Sequence, residues 1–204
     1  MTEWLAVITI TVFAVLSPGP DFAMVSRNSL LLNRRAGVLT AVGISVGVLV
    51  HVAYTLLGVG LLIRESPTLF HALKLLGACY LVWLGARMVF SRKTGETVEA
   101  ERSLADHAAL RTGFFTNVLN PKTTVFIVSL FLQVVGPSTS LATQIGYGIF
   151  IALAHAAWFS AVALFFSSPS IQKRLMSVRH WIDRGFGTVL VGFGLFLATA
   201  SAGR

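Results

Sequence analysis

The sequence predicts an all-α polytopic membrane protein, with six transmembrane helices in a 3+3 inverted repeat and with the first and fourth helices broken. Three observations carry this: a shortage of charge, long runs without any charge, and basic residues that alternate between the runs. Of 204 residues, 16 are Lys or Arg and 8 are Asp or Glu, so 12% are charged, against about 25% in a soluble domain. Hydrophobic residues make up 55%, and so few charges do not cover a surface in water. Fifteen Phe and four Trp exclude a disordered chain. The net charge of +8 would suggest nucleic acid on a soluble protein. Here the bases fall in the gaps between apolar runs, where they set membrane orientation instead, and no nucleic-acid partner is expected.

The first span, about 4–27, is uncharged from Trp4 to Pro20, and two prolines with a glycine break its second half. The second, about 37–63, carries no charge except a possible proton on His51. The third, about 68–90, carries Lys74 and Arg87 near its ends, where both can snorkel. Thr123 to Gln172 has no Lys, Arg, Asp or Glu and exceeds the ~20 residues that cross the hydrocarbon. Gly136-Pro137-Ser138-Thr139-Ser140 divides it into a fourth span, about 112–135, and a fifth, about 141–166. The sixth covers about 182–200. All belong to a single transmembrane domain of halves 1–90 and 112–204. Residues 91–111 join them as a solvated cytoplasmic linker mixing Glu96, Glu99, Glu101 and Asp106 with Arg92, Lys93, Arg102 and Arg111.

The first loop carries Arg27, Arg34 and Arg35, the third is the linker, and the fifth carries Lys173, Arg174 and Arg179. The second loop has only Arg64, the fourth no base, and the tail only Arg204. The positive-inside rule places loops one, three and five in the cytoplasm and both termini outside. The N-terminus has Glu3 where a signal peptide would be basic, and runs directly into a broken helix. Cys79, the one cysteine, lies in an apolar run and reads as a small buried hydrophobe.

The halves resemble each other. Val15-Leu16-Ser17-Pro18 aligns with Val118-Leu119-Asn120-Pro121, and Leu49-Val50-His51-Val52-Ala53-Tyr54 with Leu153-Ala154-His155-Ala156-Ala157-Trp158. Pro and His are rare in this chain, so their recurrence in register points to a repeat. Three spans per half invert the second half in the membrane.

The chemistry-bearing residues fall in those repeated segments. In Ser17-Pro18-Gly19-Pro20-Asp21, Ser17 suits an N-cap and Pro18 the first residue of a new half-helix near mid-membrane. In Asn120-Pro121-Lys122, Asn120 and Pro121 suit the same roles. The two half-helix starts are expected to meet, and two positive helix ends suit an anionic group such as a carboxylate. Asp21 and Lys122 sit just inside those ends, and an ionisable residue within the membrane is costly enough to suggest function. Asp21 is open to three roles: binding an ammonium, binding a proton, or pairing with Lys122. His51 and His155 are candidates for proton coupling, or neutral groups bonding across helix interfaces. Gly43 and Gly47 allow close helix contact. Arg87 and Arg111 suit anchors at the cytoplasmic ends of helices. No metal-ligand spacing, phosphate loop or serine elbow occurs, so no cofactor and no catalytic residue is expected. An enzyme would have to pair His51 or His155 with Ser45 or Ser160, which no nucleophile motif supports.

The combination Ser17-Pro18-Gly19-Pro20-Asp21, Gly43/Gly47 and Asn120-Pro121-Lys122 resembles the LysE/RhtB family of amino-acid exporters over essentially the whole chain. The resemblance implies a multi-pass protein of the bacterial cytoplasmic (inner) membrane that exports amino acids or close derivatives by proton antiport. Its partners would then be an amino-acid substrate, protons and the lipid bilayer; assembly into a homo-oligomer is left open. The wider superfamily suggests a metal-ion or cation exporter or channel as the alternative. The substrate site would comprise Ser17, Pro18, Gly19, Pro20, Asp21, Asn120, Pro121 and Lys122, with Asp21, His51 and His155 coupling protons.

Overall fold

A computed structural model of the protein describes residues 2–17, 19–58, 66–90, 100–136, 138–168, 171 and 179–199. Among them the regular structure is helical throughout: α1 Thr2–Leu16, α2 Pro20–Leu31, α3 Arg34–Leu56, α4 Pro67–Val89, α5 Ala100–Val118, α6 Pro121–Val134, α7 Leu141–Phe166 and α8 Arg179–Thr199. By length and composition, α3, α7 and the bent pair α1–α2 can each cross a membrane. Large apolar side chains project outward all along the helices, among them Phe13 (70% exposed), Leu57 (81%) and Leu153 (62%). Such a surface is costly in water and suits acyl chains.

Both expected breaks are present. The first separates α1 from α2, whose axes differ by 56°. Ser17 N–H still bonds back to the Phe13 carbonyl, so α1 closes before the prolines. The sequence expectation misplaced the restart: Gly19 is the N-cap and Pro20 the first helical residue, not Ser17 and Pro18. The reason is steric, because Pro20 disfavours helical geometry in the residue before it, so Gly19 stays extended. Pro18 lies outside the described residues, as do Arg64, Arg92, Lys93, Glu96, Glu99, Pro137, Lys173, Arg174 and Arg204. The second break falls at Leu119–Asn120, where Asn120 caps α6 by accepting from Lys122 N–H at 3.0 Å.

Two further expectations are corrected. Residues 100–110, read as part of the solvated linker, are the start of α5. Their charge reports contact with water, but Ala, Glu, Arg and Leu are all good helix formers. Cys79 is exposed, not buried; in lipid, an apolar neighbourhood does not distinguish the interior from the perimeter. The first loop is shorter than expected as well. Only Leu32 and Asn33 separate α2 from α3, and Asn33 caps α3 by accepting from Ala36 N–H at 2.8 Å.

Packing places α2, α3, α5, α6 and α7 around the breaks. Val7, Val48, Val52, Ile127, Phe131, Tyr147 and Ile151 join α1, α3, α6 and α7 in one cluster. Val25, Ile44, Phe159 and Ala163 join α2, α3 and α7, while Met24, Leu81 and Leu190 join α2, α4 and α8. The Gly43 face of α3 admits the α5 backbone so closely that a Cβ there would fall 2.1 Å from the Leu110 carbonyl. Gly77 of α4 lies against the second break in the same way, 2.1 Å from the Leu119 carbonyl. Polar pins hold α2 to α3: Asn28 Nδ2 donates to Thr40 Oγ1 at 2.8 Å, and Thr40 donates to the Ala36 carbonyl at 2.8 Å.

Candidate functional site

The two breaks come together. Lys122 Nζ, from the first turn of α6, donates to the Ser17 carbonyl at the end of α1 over 2.7 Å. Asn120 Nδ2 donates to Asp21 Oδ2 of α2 at 3.3 Å, and Asn117 Nδ2 of α5 donates to the same oxygen at 2.9 Å. The chain ends at both interruptions are thus knitted by side chains from the opposite half.

A small cavity lies at this junction, lined by Ser17, Gly19, Asp21, Asn120, Lys122 and His155 on its polar side. Phe22, Phe126 and Phe159 line its apolar side, with Ala14 and Val15. Its volume of about 30 Å³ has room for roughly two waters. Asp21 is buried, and among the described residues its Oδ1 has no hydrogen-bond partner. Lys122 is exposed at the rim. The first turn of α2 starts from Gly19, which has no side chain to cap the helix, so among the described residues no side chain caps the positive end that its leading N–H groups present. The start of α6 differs, because Asn120 already satisfies Lys122 N–H.

The structure therefore unites Ser17, Gly19, Asp21, Asn120 and Lys122 around one cavity and places Pro20 and Pro121 at the first positions of the converging helices. It separates the two histidines. His155 lines the cavity, and its Nδ1–H donates to the Ile151 carbonyl at 2.8 Å. His51 is fully buried behind Asn117, away from the cavity lining. Its Nε2–H donates to the Asn117 carbonyl at 2.9 Å, and Nδ1 bonds the Tyr54 hydroxyl. A carbonyl only accepts, so Nε2 carries the hydrogen and Nδ1 receives one from Tyr54. Both ring nitrogens of a neutral His51 are thereby occupied.

Sequence reasoning missed Asn117 and gave no role to Thr123, which follows Asn120-Pro121-Lys122 in the second constellation. Asn117 is fully buried and donates to Thr123 Oγ1 at 3.3 Å as well as to Asp21. A carboxamide three residues before the Asn120 break, in a stretch without charge, was the available signal. At the opposite end of α1, Glu3 Oε2 accepts from the Tyr147 hydroxyl at 2.8 Å, and Oε1 accepts from Thr139 at 2.9 Å. This ties the start of α1 to α7 and to the turn before it. Among the described residues, no three His, Cys, Asp or Glu side chains gather where they could hold a metal ion.

The model of the LysE type translocator family matches residues 12–201. The chain is 30% identical over 198 residues to the threonine efflux protein of Escherichia coli (strain K12), covering 95% of this chain and 96% of that protein. It is 30% identical over 202 residues to the threonine efflux protein of Salmonella typhimurium, covering 97% and 98%. It is 28% identical over 193 residues to the leucine efflux protein of Klebsiella pneumoniae, covering 92% and 91%. No solved structure matches the chain. With two interrupted helices meeting at a buried carboxylate and a family match that runs through nearly all of its length, the chain belongs to the LysE type translocators.

Proposed function

We propose that this protein exports a neutral amino acid across the bacterial cytoplasmic membrane by proton antiport. The observation that carries the reading is the convergence of both helix breaks on one cavity holding a buried acid and a base. Such junctions suit a zwitterion. The substrate carboxylate meets the uncapped N–H groups of α2 and the Lys122 ammonium, while the substrate ammonium, or a proton that displaces it, meets Asp21 Oδ1. The side chain faces Phe22, Phe126 and Phe159, a wall with no charge to stabilise a basic side chain. The uncharged threonine and leucine in the relatives' names support the same substrate class.

In this reading the six spans are α1–α2, α3, α4, α5–α6, α7 and α8, and the halves 1–90 and 112–204 form the inverted repeat with both termini outside. The packing supports it: α3 pairs with α7 and α4 with α8, while α2 packs on α7 as α6 packs on α3. A cavity of about 30 Å³ is too small for an amino acid, so the bound state requires the half-helices to move apart, as alternating access demands. Cells overproducing the protein should export labelled threonine or leucine, and a protonophore should stop it. Export that persists after the proton gradient has collapsed would remove the antiport mechanism. Export of divalent cations in place of amino acids would remove the substrate assignment.

A further inference from the structure

The two oxygens of Asp21 are treated differently. Oδ2 accepts two amide hydrogens, from Asn117 at 2.9 Å and from Asn120 at 3.3 Å, whereas among the described residues Oδ1 has no partner. Asn120 also caps α6, so its orientation is fixed by that helix. Asn117 caps nothing with its side chain. Both of its amide hydrogens are spent, on Asp21 and on Thr123 Oγ1, and its own Oδ1 is buried without a partner among the described residues. An unsatisfied buried acceptor is destabilising, so Asn117 is a poor residue for packing alone.

Its surroundings are built to hold it. The Asn117 carbonyl accepts from His51 Nε2–H at 2.9 Å and from Asn120 N–H at 2.8 Å, which fixes the backbone. The side chain occupies space left by Gly47 of α3, where a Cβ would come 2.7 Å from Asn117 Oδ1 and 2.9 Å from Asn117 Cβ.

We propose that Asn117, seated against Gly47, is the positioning residue for Asp21, holding Oδ2 so that Oδ1 alone takes the proton in each transport cycle. The inference rests on the assignment of Asp21 to coupling. The proton adds to a lone pair of Oδ1, the carboxylate becomes a carboxylic acid, and the same O–H bond breaks when the proton passes to water on the other side. Neither amide bond to Oδ2 need break, so the carboxyl keeps its direction through both states. Among the described residues, the other charged or titratable groups around it are Lys122 on α6 and His155 on α7, which line the cavity, and His51 with its partner Tyr54 on α3 behind Asn117. Arg184 on α8, which also packs on α2, is exposed.

The test uses the purified full-length protein in proteoliposomes. Labelled threonine flux is measured against pH under a proton gradient, and threonine exchange is measured without one. N117L removes both amide hydrogens and keeps the heavy-atom count and the branching at Cγ. G47A displaces the same side chain without removing any polar group. Both should move the half-maximal point of the pH curve by about one unit to the alkaline side, because a carboxylate that loses donors is neutralised more readily. Exchange, compared at each variant's best pH, shows that the variant still binds and moves threonine. A folded N117L with the wild-type pH curve overturns the inference, and if N117L does not fold, a wild-type curve in G47A overturns it equally. Wild-type vesicles that move neither threonine nor leucine, or whose flux ignores pH, overturn the functional reading itself.

Discussion

At the residue scale, Asp21 carries the most consequence, as a buried carboxylate with one anchored and one unanchored oxygen. Asp21→Asn keeps the shape and loses the charge. The variant should insert at wild-type levels, and its gradient-driven export should fall at least about a hundredfold; export near the wild-type rate would end its coupling role. The two histidines, equivalent in the sequence, make different predictions. His51 has both ring nitrogens engaged and braces the α5 end, so His51→Ala should lower thermal stability in detergent by about 1–3 kcal/mol. His155 is buried too, but it lines the cavity and its one bond stays within its own helix, so His155→Ala should lower the melting curve less than His51→Ala and should change the transport rate. A reversed pattern in the two melting curves would exchange these roles.

At the element scale, the helix breaks rest on ordinary capping rules and on tight backbone contact. Asn120 performs two tasks, capping α6 and donating to Asp21. Asn120→Ala should therefore cost about 1 kcal/mol of stability, visible as a lower melting temperature, together with reduced export. Gly19 and Gly77 sit at the two breaks, but they differ in the room around them. A Cβ at Gly19 would lie 3.5 Å from Lys122 Nζ, an ordinary contact. At Gly77 it would lie 2.1 Å from the Leu119 carbonyl, which is backbone and cannot move aside easily. Gly19→Ala should therefore accumulate in the membrane as the wild type does, while Gly77→Ala should accumulate poorly, as an immunoblot of membrane fractions would show.

At the scale of the whole molecule, the orientation of the bundle is open to direct chemistry. In a Cys79→Ser background, a cysteine at exposed Ser138 should react with a membrane-impermeant maleimide from outside intact cells. One at exposed Arg35 should react only after the inner face is opened. The reverse labelling would invert the topology and make the positive loops external.

The helical membrane class, the family and the existence of both breaks were legible without coordinates, because these depend on composition and on local backbone rules. Too few charges exclude a water-facing globule, and Pro20 and Pro121 restart helices wherever the chain runs. Local rules also explain the two-residue error at the first break, where two prolines competed and the second won by restraining Gly19. Three-dimensional packing alone decided that the breaks touch, that His155 and not His51 faces the cavity, and that Asn117 holds Asp21. Those facts depend on which side chains from distant segments fill the space beside Gly47 and between α2, α5 and α6. No spacing along a single strand of residues encodes that. The exposure of Cys79 was hidden for a related reason: in a protein surrounded by lipid, the interior and the perimeter are both apolar, and only tertiary contacts tell them apart.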